Sequence, residues 1–549
     1  MGPLFAAAER YWQTLRHLRP IQFYGRLRFR LARPTADISP PPARRRLEKS
    51  WRSPARRRPS LSGKMTFSLL NQTASLPEVG WDGPQCDKLW RYNQHYFDDL
   101  NACDADARIA WHIDLLLAWV EENPPGEGTG WEPYPTSLRI VNWIKWALAG
   151  NALPTECIQS LAVQVRWLMR RLEWHLLANH LFANAKALVF AGLYFEGSEA
   201  HRWLDMGMKI LAHELPEQIL PDGGQFELSP MYHALAIEDV LDVVNIMRAY
   251  TAALGPVHEQ CLAQCEGRLP AMRRWLNTMC HPDGEIAFFN DAACGVAPSS
   301  AELDDYARRL GYGAALELQE YMWLADSGYA RLAQGGAVLI VDMARVGPDY
   351  LPGHAHADTL SFEFSFQGQR IFVNSGTSIY GAGPERLRQR GTPAHNTVTV
   401  NGRNSSDVWS GFRVGRRAYP MNAGISSKAG ALFAHAGHDG YRHLPGCPVH
   451  QRSWALSSNR MIVEDSISVS SLPGEARFHL HPDVRVQQVG PGDGTLTARE
   501  GRLLYWNTHG CPAQVESTSW HPEFGISQPN YCIVVALREG RATFELSWI

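Results

Sequence analysis

The sequence carries almost no net charge: 53 Lys and Arg stand against 55 Asp and Glu, a balance of -2 over 549 residues. This excludes attraction to nucleic acid through global charge, so any anionic partner must be held by local basic groups. The ten cysteines include no CxxC pair, which removes zinc-ribbon and thioredoxin-like sites. Scattered thiols favour a reducing compartment. The N-terminus lacks a secretory pattern, because its short apolar run is broken by Glu9 and Arg10. No apolar stretch is long enough to span a bilayer. Phosphate-loop and dinucleotide fingerprints are missing, and GTSIYG (376–381) has the wrong spacing for a nucleophile elbow. No strict repeat marks a solenoid.

What is present falls into three stretches, in a chain too long for one ordinary domain. Residues 1–70 form a basic, Pro-rich arm with RLRFRLARP (26–34) and ARRRLEKSWRSPARRRP (43–59). Two readings of the arm stand: contact with an anionic polymer or a membrane surface, or a solvated arm whose Trp12, Phe23 and Tyr24 dock on the main body. Residues 71–320 read as helices. ARIAWHIDLLLAWVEEN (107–123), FANAKALVFAGLYF (182–195) and AIEDVLDVVNIMRAYTAAL (236–254) repeat apolar positions at three and four. Residues 321–549 read as strands, with period-two alternation in TLSFEFSFQGQRIFVNSG (359–376) and RMIVEDSISV (460–469). Helices followed by strands imply separate layers or domains, with a boundary near residue 320.

Three clusters could carry chemistry. In EWHLLANHLFANAKAL, Asn179 and His180 fall where one helix ends and the next begins. Such polar groups either face a cleft or cap the helix. DGGQFELSPMYHALAIEDV brings Glu227 and Tyr232 to a helix start, with Ser229 as cap before Pro230. A phenol titrating near 10 needs cationic or hydrogen-bonding neighbours before it can act as a base. PGHAHADTLSFEFSF puts His354, His356 and Asp358 on one face if they lie on a strand, which suits a zinc site or an acid/base pair. Asn374 and His395 could complete that site, although an amide is a poorer zinc ligand than a carboxylate. Arg386, Arg388 and Arg390, with Arg413, Arg416 and Arg417, offer bidentate forks for carboxylate or sulfate, and Arg139 is a further candidate.

The stretches RYNQHYFDDL, GWEPYPTSLRIVNWIKW, NHLFANAKALVFAGLYF, DGGQFELSPMYHA, GHAHADTLSFEF and AHNTV, in this order, resemble the heparinase II/III family of polysaccharide lyases. The resemblance implies an (α/α) toroid followed by an antiparallel β-sandwich, with the substrate cleft between them. It implies cleavage of an acidic, uronate-containing polysaccharide by β-elimination. Tyr232 resembles the catalytic tyrosine and His354 the second acid/base. Asn179 and His180 resemble the pair that neutralises the uronate carboxylate. Apart from the resemblance, Glu227, Arg139, Arg388, Arg390 and Arg413 are read as substrate-contact candidates. His356 and His395 resemble ligands of a structural zinc, and Asn374 stands where some relatives carry Asp. No organic cofactor is implied. The family resemblance points to the periplasm, whereas the thiols and missing leader pattern favour the cytoplasm. Two other readings remain: a non-catalytic polysaccharide-binding or assembly protein on a lyase scaffold, and a toroidal glycoside hydrolase using Glu227 with Asp222 or Glu173.

Overall fold

The computed structural model describes residues 3–314 and 318–548. The arm opens with two helices, α1 (Pro3–Leu15) and α2 (Pro20–Leu31), then runs extended around the body to a small sheet at Leu61–Gly63, Thr66–Leu69 and Gln72–Ser75. Arg45 donates to the carbonyls of Leu193 and Phe195, and Arg57 pairs with Glu238, so basic residues of the arm cap carbonyls and carboxylates of the helical body. Trp12, Phe23 and Tyr24 do not dock, contrary to one reading of the arm. They are 65%, 51% and 59% exposed, and Phe29 and Tyr11 make the aromatic contacts instead, against His175 and Trp409.

The helical half is built of hairpins joined by short loops. Ala178–Tyr194 and Ser198–Gln218, linked by three residues, pack so closely that a Cβ on Gly192 would meet the Leu204 nitrogen at 2.6 Å. Only glycine permits that approach. The sequence reading had no helix at 198–218. It is amphipathic and carries Pro216 in its last turn.

Every strand pair described in the sheet half is antiparallel. A five-stranded sheet runs in order from Tyr321–Leu324 to Gln369–Phe372, and an eight-stranded sheet packs beside a four-stranded one. Alternate residues of His450–Ser457 and Arg460–Ile467 are buried, the period-two pattern that sends one face inward. The core is aromatic: Phe362, Phe372, Phe478 and Phe544 lie within 6.0 Å of a neighbouring ring centroid.

The two halves are joined at residues 281–297. His281 contacts Glu363 at 2.8 Å, Arg370 binds Asp283, and the amide of Asp291 donates to the carbonyl of His354. The segment His354–Asp358 is not a strand, because pairing begins at Phe362. The one-face argument for its histidines therefore fails. They converge for another reason, given below.

Candidate active site

A cleft of about 1910 Å³ lies between the halves, and Tyr232, His354, Asn179, His180, Glu227 and Arg413 line it. Tyr232 occupies the first turn of the helix Pro230–Ala249. There the Ser229 hydroxyl accepts from the Tyr232 amide and donates to the Asp291 carbonyl. The backbone just before three of the site segments is left-handed at residues with side chains: Leu177 and Ala178 before Asn179, Leu228 before Ser229, and Asn290 before Asp291. Each costs on the order of 1–3 kcal/mol and persists only where the surroundings fix it. Asn290 does part of that fixing. It donates to the Leu228 carbonyl, accepts from the His356 amide, and its own amide donates to Asp358.

Tyr232 and His354 lie face to face, ring centroids 3.9 Å apart and planes 31° from parallel. The Tyr232 and Tyr380 hydroxyls are 2.9 Å apart. Burial, with Tyr380 and Asp291 nearby, raises the Tyr232 phenol well above its ordinary range, so it keeps its proton at neutral pH. His354 Nδ1 lies 2.9 Å from Asp291 Oδ2, and its Nε2 is 3.7 Å from Glu227. Asp291 is buried, and burial opposes its charge. Arg386 and the two histidines more than reverse this, holding its carboxyl well below the usual range. An ionised Asp291 accepts, so His354 donates from Nδ1 and leaves Nε2 on the Glu227 side.

On the helical wall, His180 Nδ1 contacts Glu173 at 3.1 Å, and its ring lies 4.5 Å from that of Tyr134. Burial works against the imidazolium, but Glu173 prevails and raises its pKa. Burial lifts the Glu227 carboxyl, while His354 and His180 pull it back, so it sits within electrostatic reach of both.

Several sequence expectations need correction. Arg139 is fully buried, bonded to Gln164 and the carbonyls of His95 and Gly130 and lying 3.8 Å from the Trp119 ring, so it cannot reach a polymer. Arg390 is likewise buried, and it clamps the carbonyls of Ala355 and Gly411, holding the His354 loop. Arg386 is the buried partner of Asp291. Arg388 binds Glu385 and Ser519, outside the cleft lining. Arg413 does line the cleft, beside Trp409. The Asn374 oxygen accepts from the Asn396 amide, and its nitrogen lies 3.4 Å from the Ser361 hydroxyl.

The donors that do cluster are His356, Asp358 and His395, all buried, with ligand atoms within 4.8 Å of one another. Burial drops the two imidazoles to about 4 and about 3, so they are neutral, the form that binds metal. His356 Nδ1 and His395 Nε2 are 3.3 Å apart. That matches two nitrogens of a tetrahedral zinc at about 2.0–2.1 Å. The outer nitrogen of His356 is bonded to Asp291, the usual orienting carboxylate of a histidine ligand.

The sequence reading missed Asp291, Tyr380 and Tyr134. Asp291 sits in FFNDAAC without a motif, and Tyr380 lies in GTSIYG, whose spacing suits no nucleophile elbow.

Comparison with known proteins agrees with this architecture. A 245-residue match to a heparin-sulfate lyase of Bacteroides stercoris is 27% identical, covering 41% of this chain and only 36% of that relative's length. FtsZ-localized protein C of Caulobacter vibrioides is 25% identical over 515 residues, 86% of this chain and 84% of that protein. A crystal structure of heparinase III has a TM-score of 0.68 at 16% identity, covering 86% of this chain and 79% of that one. The heparan sulfate lyase HepC from Pedobacter heparinus gives 0.55 at 17% identity, over 96% and 87%. The heparinase II/III N-terminus model matches residues 104–307, and the heparinase II/III-like C-terminal model matches 318–549. The chain belongs to the heparinase II/III family.

Proposed function

We propose that the protein is a polysaccharide lyase cleaving an acidic, uronate-containing polysaccharide by β-elimination. One observation carries this reading: a phenol from the helical half and an imidazole from the sheet half stack in a single cleft, 3.9 Å between ring centroids. Asn179 and His180, whose charged form Glu173 favours, bind the uronate carboxylate and spread the charge that develops as C5 loses its proton, which is the largest catalytic contribution in such sites. His354, held by its Nδ1–Asp291 bond, takes the C5 proton on Nε2. The released electron pair forms the C4–C5 double bond, the C4–oxygen bond breaks, and Tyr232 protonates the departing oxygen. The raised phenol pKa keeps that proton in place until the oxygen departs. Glu227 bonds a sugar hydroxyl, and Arg413 meets charge at the cleft mouth.

The buried donors His356, Asp358 and His395 fit a structural zinc. When bound, the metal pins the His354–Asp358 loop behind Asp291, and the elimination itself runs on Tyr232, His354, Asn179 and His180.

A second reading, a polysaccharide-binding or assembly protein that retains the fold, is favoured by the FtsZ-localized relative, which matches far more of the chain than the Bacteroides lyase does. Mass spectrometry separates the two. Incubation with heparan sulfate, chondroitin or unsulfated uronans is expected to give fragments one water lighter than hydrolysis products, and none with Tyr232→Phe. Binding without turnover by the unmutated protein would favour the second reading.

A further inference from the structure

Helix α2 is twelve residues long and two-faced in an unusual sense, because its apolar stripe points outward. Its inner face meets the helical body through Gln22, Gly25 and Phe29. Gly25 is in contact with His175, and the Phe29 ring is covered by Arg171 at 3.6 Å. The opposite face carries Phe23, Tyr24, Leu27 and Leu31, at spacings of three and four, and these side chains are 51%, 59%, 61% and 72% exposed. Burying any of them in water-free surroundings is favourable, so a contiguous apolar stripe left outside marks an interaction surface.

The flanking charge indicates the partner. Between Arg10 and Arg33 there are seven arginines and no carboxylate, in a chain whose overall charge is close to neutral. Arg10 and Arg19 are spent on Asp407 and Glu217. Among the described residues no carboxylate lies within ion-pair distance of Arg28, Arg30 or Arg33, and all three are exposed. An apolar stripe bordered by unpaired arginines matches the headgroup layer of an anionic bilayer, where aromatic and leucine side chains enter the acyl boundary and guanidinium groups meet lipid phosphate. A hydrated acidic polysaccharide would use the arginines but leave the stripe in water. No helix among the described residues is long and apolar enough to cross a membrane, so the contact lies in the surface plane.

We propose that the outer face of α2 docks this protein on an anionic membrane surface, with Phe23, Tyr24, Leu27 and Leu31 inserted and Arg28, Arg30 and Arg33 on the headgroups. The inference is independent of the lyase reading.

The test is flotation of the full chain with vesicles of phosphatidylcholine alone or with added phosphatidylglycerol. Salt-sensitive binding to the anionic vesicles is expected. It should fall roughly 100-fold when three arginines are reversed in R28E/R30E/R33E. Replacing the stripe in F23S/Y24S/L27S/L31S should abolish it. Both variants face solvent and should keep the parent melting temperature. Absence of anionic-vesicle binding, or binding that survives both variants, would overturn the proposal. So would a dimer that the stripe variant turns into monomer. Loss with the arginine variant alone, together with capture on an acidic polysaccharide, would reassign the arginines to the polymer and also overturn it.

Discussion

The two walls of the cleft hold their functional groups by different means. The helical wall uses helix starts: Asn179 and His180 in the first turn of one helix and Tyr232 in the first turn of another, its amide accepted by Ser229. The sheet wall uses a loop, and His354 is placed by a buried charge cluster centred on Asp291, with Arg386 and His356. A helix terminus is positioned by local geometry. A loop in a sandwich has no such frame and needs long-range ion pairs to hold it.

This contrast can be broken experimentally. The largest effect belongs to the chemistry itself. Tyr232→Phe removes only a hydroxyl, and kcat is expected to fall about 10²–10⁴-fold with KM little altered. Retention of most of the turnover in steady-state kinetics would remove the Tyr232 phenol from the reaction. Next comes the anchor of the sheet wall. Asp291→Asn leaves Arg386 buried without a counter-charge, and a loss of about 3–5 kcal/mol is expected in denaturant melts. Adding Arg386→Met should restore stability but not turnover, because His354 would still lack its orienting carboxylate. Recovery of both would mean that Asp291 matters for folding alone.

Buried charge also stitches the sheet half further out, where Asp465 accepts from Arg452 and lies 2.7 Å from His450. Burial opposes its ionisation, yet Arg452 and His450 hold its pKa to about 2. A carboxyl depressed in the folded state contributes stability that is complete above its unfolded value, near 4, and is lost as pH falls through about 2. Acid melts should therefore show roughly 2 kcal/mol disappearing across that window, and Asp465→Asn should flatten it. The smallest effects separate two neighbouring arginines. Arg390→Ala strips the Ala355 carbonyl of both its donors and should cost about 1–3 kcal/mol. Arg388→Ala at the exposed edge should cost under about 1 kcal/mol. Equal losses would contradict the assignment of only one of them as a clamp.

The sequence revealed the helical wall more fully than the sheet wall, for a physical reason. Apolar spacing and the Ser229–Pro230 start locate Tyr232 on its helix without any tertiary information. The division into helical and sheet halves follows from the change of period. The Asp291 cluster joins residues 63 and 95 positions apart in the chain, and no local pattern encodes such a pairing. The same gap misplaced the arginines. Arg139, Arg386 and Arg390 look like surface forks in sequence but are buried, each satisfied by partners that only the fold supplies. The strained turns at Leu177, Leu228 and Asn290 gave no warning either, since none carries the glycine that usually signals a left-handed backbone.

The most direct measurement follows ultraviolet absorbance while the purified chain acts on uronate polymers. A rise from the conjugated double bond of an unsaturated uronate, abolished in both Tyr232→Phe and His354→Ala, is the expected result. New reducing ends without that absorbance would mean hydrolysis and contradict elimination at this site.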